Sequence, residues 1–194
     1  MKKELNALIK EEKTLYFTNK KTEKRMRASK HKRYYIFMFL YHFRYCQYYR
    51  KLRNEKQFLF IFRYFYKIAF RYHEKQKNIY SYKSGVEIGL DSQIGKCCDI
   101  WHSGVVINGN IGDYCVFHGN NTIGNKGVGS ELSRPNLGNN VDVGAGAIII
   151  GDVNIADGCK IGAGTVVTKS FNEPASTIVG VPGRLIIAND NKEK

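Results

Sequence analysis

The sequence predicts a mainly β protein, a parallel β-helix of short stacked coils preceded by a small α-helical region. Three observations carry that prediction. Apolar residues recur at every sixth position through the second half of the chain, glycine follows many of them, and composition changes abruptly near residue 85. Every glycine and all three prolines lie at or beyond Gly85, whereas 21 of the 25 Phe, Tyr and Trp lie within residues 1–84. Charge divides at the same point, with a net of +17 before it and −3 after it in the total of +14. For 194 residues, so sharp a partition favours two small units over one generous domain.

Residues 1–84 read as helical. "KKELNALIKEEKTLY" spaces Leu5, Leu8, Ile9 and Leu15 at helical intervals with charges between them. Segments 33–53 and 56–74 are dense in Phe and Tyr with Arg or Lys every few residues, and neither contains Gly or Pro. Two or three helices are expected, packed on the first coils, with "KQKNIYSYKSG" as the hand-over. The most apolar run, "YYIFMFLYHF" (34–43), is about half of the ~20 residues a membrane span needs and runs into Arg44. The residues after Met1 lack the apolar core and small-residue cleavage site of a signal peptide, so a cytoplasmic location is expected.

A field this basic seeks an anionic partner. Four readings of it stay open: a cap on the first coil, a membrane-surface contact, nucleic-acid binding, and docking to another enzyme. The interleaved cations and rings of "KHKRYYIFMFLYHFRYCQYYRKLR" favour peripheral contact with an anionic membrane on its inner face. No nucleic-acid recognition motif is present, so nucleic acid is not expected as a partner.

The repeat begins at Ile88 and continues through Ile94, Ile100 and Val106. It resumes at Ile111, Phe117 and Ile123, and again at Leu137, Val143, Ile149, Ile155, Ile161 and Val167. Seven of these thirteen residues are followed by glycine, where a background of about 7% predicts roughly one. Period six means short strands with one inward apolar residue each, joined by corners where Gly and Asn supply positive φ. Three strands close a triangular coil of about eighteen residues, and coils stack at ~4.8 Å. The 14-residue step from Ile123 to Leu137 does not fit the period, so a loop at about 125–136 leaves the prism. The β-helix is placed at 85–187, with a polar tail at 188–194. The five cysteines are odd in number and lack metal-ligand spacing; they read as reduced, packed thiols, with no metal site expected.

"IGDYCVFHGNNTIG", "VGAGAIIIGDVNIADGCKIGAGTVVTKS" and "IVGVPGRLI" resemble the left-handed β-helix acyltransferases built from hexapeptide repeats. The chain is similar to serine acetyltransferases and especially to capsular and exopolysaccharide O-acetyltransferases. The resemblance implies the left hand, acetyl-CoA as donor, and a homotrimer with each donor groove between two prisms.

It also places a site. In "DIWHSGVVINGN", His102 matches the family's general base, a role suited to imidazole because it titrates near neutrality. Glu87, fifteen residues earlier, matches the carboxylate that orients that base. Trp101 stands where serine acetyltransferases carry an aspartate for the serine ammonium, and Arg134 where they carry a second histidine. An indole face suits a pyranose and a guanidinium suits hydroxyls or anions, so a hydroxyl on a sugar or surface-polysaccharide precursor is the preferred acceptor. His118 follows Phe117 as Trp101 follows Ile100, one coil later, and is a further candidate for the acceptor cleft. For the donor, the resemblance picks Ala145, Ala163, Thr168, Lys169 and Arg184. The alternatives are serine O-acetylation for cysteine synthesis and, in another class, a non-catalytic membrane-associated scaffold.

Overall fold

The computed structural model describes residues 1–54, 60–127 and 133–186. Four helices come first: α1 (Lys2–Tyr16), α2 (Lys20–Ala28), α3 (Lys32–Asn54) and α4 (Phe60–Ser84). The sequence led to two or three. Asn19 accounts for one more: its Oδ1 accepts the Thr22 backbone N–H at 2.8 Å and so starts α2. The supposed hand-over is helical as well, because nothing breaks α4 before Gly85, whose N–H bonds back to the Ser81 carbonyl at 2.8 Å.

Short strands follow in coil order. The first coils carry β1 (Val86–Ile88), β2 (Asp99–Ile100), β3 (Val105–Ile107), β4 (Asn110–Ile111), β5 (Val116–Phe117) and β6 (Thr122–Gly124). Beyond the loop come β7 (Asn136–Leu137), β8 (Asp142–Val143), β9 (Ile148–Ile150), β10 (Asn154–Ile155), β11 (Lys160–Ile161) and β12 (Val166–Val167). The chain closes with β13 (Thr177–Val179) and β14 (Arg184–Ile186). Parallel ladders sort them into three walls. The first wall is β1, β3, β6, β9 and β12, and the second is β4, β7 and β10. The third is β2, β5, β8, β11 and β13, with β14 added antiparallel. Loop residues 128–132 and the proposed tail at 188–194 lie outside the described residues.

Twelve of the thirteen period-six residues point inward and are buried. Val106 is the exception. It is exposed, and Ile107 takes the inward place, paired with Ile88 below and Ile123 above. The reason is one additional residue. The inward positions of the third and first walls are six apart at Phe117–Ile123 and Ile161–Val167, but seven apart at Ile100–Ile107. The additional residue falls in the corner that carries His102.

The first coil has no coil beneath it, and its exposed ladder groups need partners. The helices supply them. Tyr16 Oη accepts the Ile100 N–H at 3.0 Å and donates to the Cys98 carbonyl at 3.2 Å, standing in for a missing strand. Arg44 donates to the Ile94 and Gly95 carbonyls at 2.6 Å each, and Gln47 to the Ser92 carbonyl at 2.9 Å. Arg44 Nη2 also meets Glu12 Oε1 at 2.6 Å, and both side chains are buried. Ile36, Phe37, Phe39, Leu40 and Phe43 of α3 join the prism core. The rings of Phe37, Phe39 and Phe43, within the stretch read as meeting a membrane, are buried inside this cap.

Candidate functional site

One edge of the prism, where the third wall turns into the first, gathers half of the candidate residues. Successive coils turn this edge at Trp101–Gly104, His118–Asn121, Gly144–Ala147 and Gly162–Thr165. Backbone bonds stack the turns: Asn120 N–H to Ser103 O and Gly146 N–H to Gly119 O at 2.9 Å each, then Gly164 N–H to Ala145 O at 2.8 Å. His102, Gly119, Ala145 and Ala163 therefore form a column along one edge. Gly119 has φ +120°, and a Cβ there would come within 2.6 Å of the His102 Cβ. Glycine at 119 keeps the column open beside the imidazole. His102 itself is exposed.

Beside this column the third wall carries a polar chain. The Trp101 ring lies over His118 with centroids 4.3 Å apart. Its Nε1–H donates to Asp99 Oδ2 at 2.9 Å, and Arg33 Nη2 lies 3.2 Å from Asp99 Oδ1. His118 Nε2 meets Asp142 Oδ1 at 2.8 Å, one coil higher, and that carboxylate is part-exposed. A carboxylate accepts, so Nε2 carries the hydrogen donated in this contact. Lys32, at the start of α3, donates to Ser103 Oγ at 3.3 Å, so the cap reaches the residue after His102.

Glu87 lies on the outer face of the first wall. Its backbone partner is Val106, four residues past His102, and no hydrogen bond or ion pair joins Glu87 to His102 within the chain. Arg134 is half-buried at the next edge, where the first wall turns into the second. The bond and charge of Arg50, and then the charge of Arg134, hold the Asp91 carboxyl below its ordinary range. Thr168 and Lys169 turn the same edge higher up, with Lys169 Nζ 5.6 Å above the Phe171 ring. Arg184 begins β14 and is exposed. A single chain thus unites His102, Trp101, His118, Ala145 and Ala163, and sets Glu87, Arg134, Thr168, Lys169 and Arg184 apart from them.

Asp142, Asp99, Lys32 and Arg33 were not candidates from the sequence. Asp142 follows His118 by 24 residues, with the loop between, and only the stacking register joins them. The cysteines offer no nucleophile. All five are unpaired and buried, and burial pushes the Cys98 thiol well up and those of Cys97 and Cys115 to about 11. Among the described residues no three His, Cys, Asp or Glu side chains gather to hold a metal ion.

Comparison with known proteins gives this edge its context. The chain is similar to serine acetyltransferases. It is 42% identical over 106 residues to that of Synechococcus elongatus, covering 53% of this chain and 43% of the relative. With that of Bacillus pumilus it shares 36% over 112 residues, covering 56% and 51%. The chain therefore spans about half the length of the curated relatives it matches. Among solved structures, soybean serine acetyltransferase complexed with serine aligns with a TM-score of 0.64 at 26% identity, covering 79% of this chain and 58% of that one. The Brucella abortus enzyme in complex with coenzyme A aligns at 0.57 and 26%, covering 63% and 50%. The Neisseria gonorrhoeae enzyme aligns at 0.67 and 23% over 95% of this chain and 66% of its own, a likeness of fold. No protein-family model matches. The prism is a left-handed parallel β-helix behind a helical region.

Proposed function

We propose that this chain is an acetyl-CoA-dependent O-acetyltransferase with His102 as general base. The observation that carries the reading is the column of His102, Gly119, Ala145 and Ala163, in a stretch similar to enzymes of that chemistry. Small residues above the imidazole leave a track for a long thioester donor. The neutral His102 ring takes the acceptor's hydroxyl proton as its oxygen attacks the acetyl carbonyl. The C–O bond forms, the C–S bond breaks, and the proton passes to the departing thiolate. With every thiol buried, no cysteine takes up the acetyl group, and the reading is direct transfer from donor to acceptor.

The relatives favour serine as the acceptor. The sequence argument against it was the lack of a carboxylate beside His102; Asp142, two coils above on the third wall, supplies one near this edge. Held by His118 beneath the Trp101 ring, it offers a part-exposed anion to an ammonium group at the same edge. A sugar hydroxyl is the second reading, favoured by the exposed indole face of Trp101. Within one chain Glu87 does not reach His102, so the orienting carboxylate, like Arg134, Thr168, Lys169 and Arg184 for acceptor and donor, is assigned to a neighbouring prism in a homotrimer. The apolar outer face of the first wall, with Val106, Ile148, Ile150 and Val166, is the contact that assembly would cover.

The test measures coenzyme A release from acetyl-CoA with L-serine and, separately, with a panel of mono- and oligosaccharides. Serine-dependent release that His102→Ala abolishes supports the first reading, and saccharide-dependent release the second. Release that His102→Ala leaves unchanged, or none with any acceptor, would overturn the assignment and return the chain to a scaffold role.

A further inference from the structure

The inward face of α4 packs on α3 through Tyr66, Phe70, His73 and Tyr80, with Tyr72 at its margin against the His42 ring and Lys83 over the Tyr35 ring, and its outward face is exposed. On that face Phe65, Ile68, Tyr72, Ile79 and Tyr82 follow one another at steps of three, four, seven and three, so they line one side of the helix. Tyr64, Phe65, Ile68 and Tyr72 are half or more exposed, and Tyr82 is 92% exposed. Core packing therefore does not explain them, and contiguous exposed apolar side chains mark a contact surface.

Charge identifies what that surface meets. Arg63, Lys67, Arg71, Lys75 and Lys83 are exposed along the same helix, and Glu74, half-buried, is its one carboxylate. A second copy laid antiparallel on this face would set five cations against five. A neutral apolar groove would strip those cations of water and give nothing in return. An anionic lipid surface satisfies both features: headgroups take the cations, while Tyr and Phe rings settle at the boundary with the acyl chains. No described helix is long and apolar enough to cross a membrane, and 25 residues of helix, ~37 Å long, suit a helix lying in the surface plane.

We propose that α4 docks this protein on an anionic phospholipid surface through its Phe65–Tyr82 face. The proposal stands apart from the acetyl-transfer reading, because α4 carries none of the residues assigned to that chemistry.

Flotation of the full chain with phosphatidylcholine vesicles, with and without phosphatidylglycerol, tests it. The expected result is recovery with the phosphatidylglycerol vesicles alone, falling as salt rises. Arg63→Glu with Arg71→Glu should lower the partition coefficient on the order of a hundredfold, and Phe65→Ser with Tyr72→Ser should lower it while leaving the salt dependence. All four positions are exposed, and circular dichroism confirms that the variants keep the fold. Equal recovery with and without phosphatidylglycerol, or full recovery of the charge-reversed variant, would overturn the proposal. So would binding of an RNA oligonucleotide without vesicle binding. A larger assembly that the Phe65/Tyr72 variant dissolves, again without vesicle binding, would assign the face to a second copy instead.

Discussion

His102 and His118 stand one coil apart on the same edge, and among the described residues only His118 of the two is held by a carboxylate. The two imidazoles invite different substitutions. Removing a general base costs about 10²- to 10⁴-fold in rate, so His102→Ala should lower kcat by that order with little change in acceptor KM. Asp142→Asn should instead raise the acceptor KM and leave kcat near its parent value. The interchanged pattern, with kcat lost at Asp142 and kept at His102, would move the base to His118. Steady-state kinetics with the acceptor varied at saturating donor reads the split. The sequence pointed to His102 because a local string, "WHSGVV", carries it. It hid Asp142, because a contact 24 residues distant across a loop follows only from the register of the coils. It also mislaid Val106, since the additional corner residue that shifts the inward position is invisible to a count by six.

At the scale of elements, the helical cap and the first coil are joined by buried polar groups as well as by rings. Glu12 is 1% exposed and its partner is Arg44, which also serves two carbonyls of the first coil. Breaking one side of a buried pair costs about 3–5 kcal/mol. Arg44→Met should therefore lower unfolding stability by that amount in a denaturant titration, and adding Glu12→Leu should restore part of it. No recovery in the double variant would mean that the carbonyl contacts, not the ion pair, dominate. The α3–α4 contact carries a pH dependence. His42 Nδ1 and His73 Nδ1 lie 2.9 Å apart, faced by Tyr41, Tyr72 and Tyr80. Burial lowers the His42 pKa to about 4, with a smaller effect of His73, and burial lowers that of His73 too. An unfolded His42 takes a proton near its ordinary 6.5, while the folded one refuses it down to about 4. Stability is therefore complete above pH 6.5 and is lost as pH falls between these values. The thermal midpoint should drop over that window and His42→Phe should flatten the drop; an unchanged slope would clear the pair of any part in it. None of this was legible in the sequence, where Glu12, Arg44 and both histidines look like ordinary helix residues.

For the whole molecule, one inward residue per strand left a period that composition could not disguise, which is why the prism was legible in the sequence. The way its open end is closed was not, because capping joins residues such as Tyr16 and Cys98 that lie 82 apart. That closure has a consequence for folding. Core residues run without interruption from Tyr16, Phe37 and Phe43 in the helices to Ile100, Phe117 and Ile178 in the prism. The first coil meets the helices as a ladder edge and not as a loose linker. Two parts that share a core and complete each other's hydrogen bonds should unfold together. The chain carries its own reporters for this. Its one tryptophan, Trp101, lies in the prism against His118 and Asp99, while the helix of the described residues, which dominates far-ultraviolet dichroism, lies in the cap. At one fixed protein concentration, tryptophan emission and dichroism at 222 nm should therefore give coincident denaturation curves with a single midpoint. If the dichroism were lost first and the Trp101 signal persisted to higher denaturant, the prism would be a unit that stands without its cap. Tyr16, Arg44 and Gln47 would then be seals on an already stable end, and the coupling argued from them would be wrong.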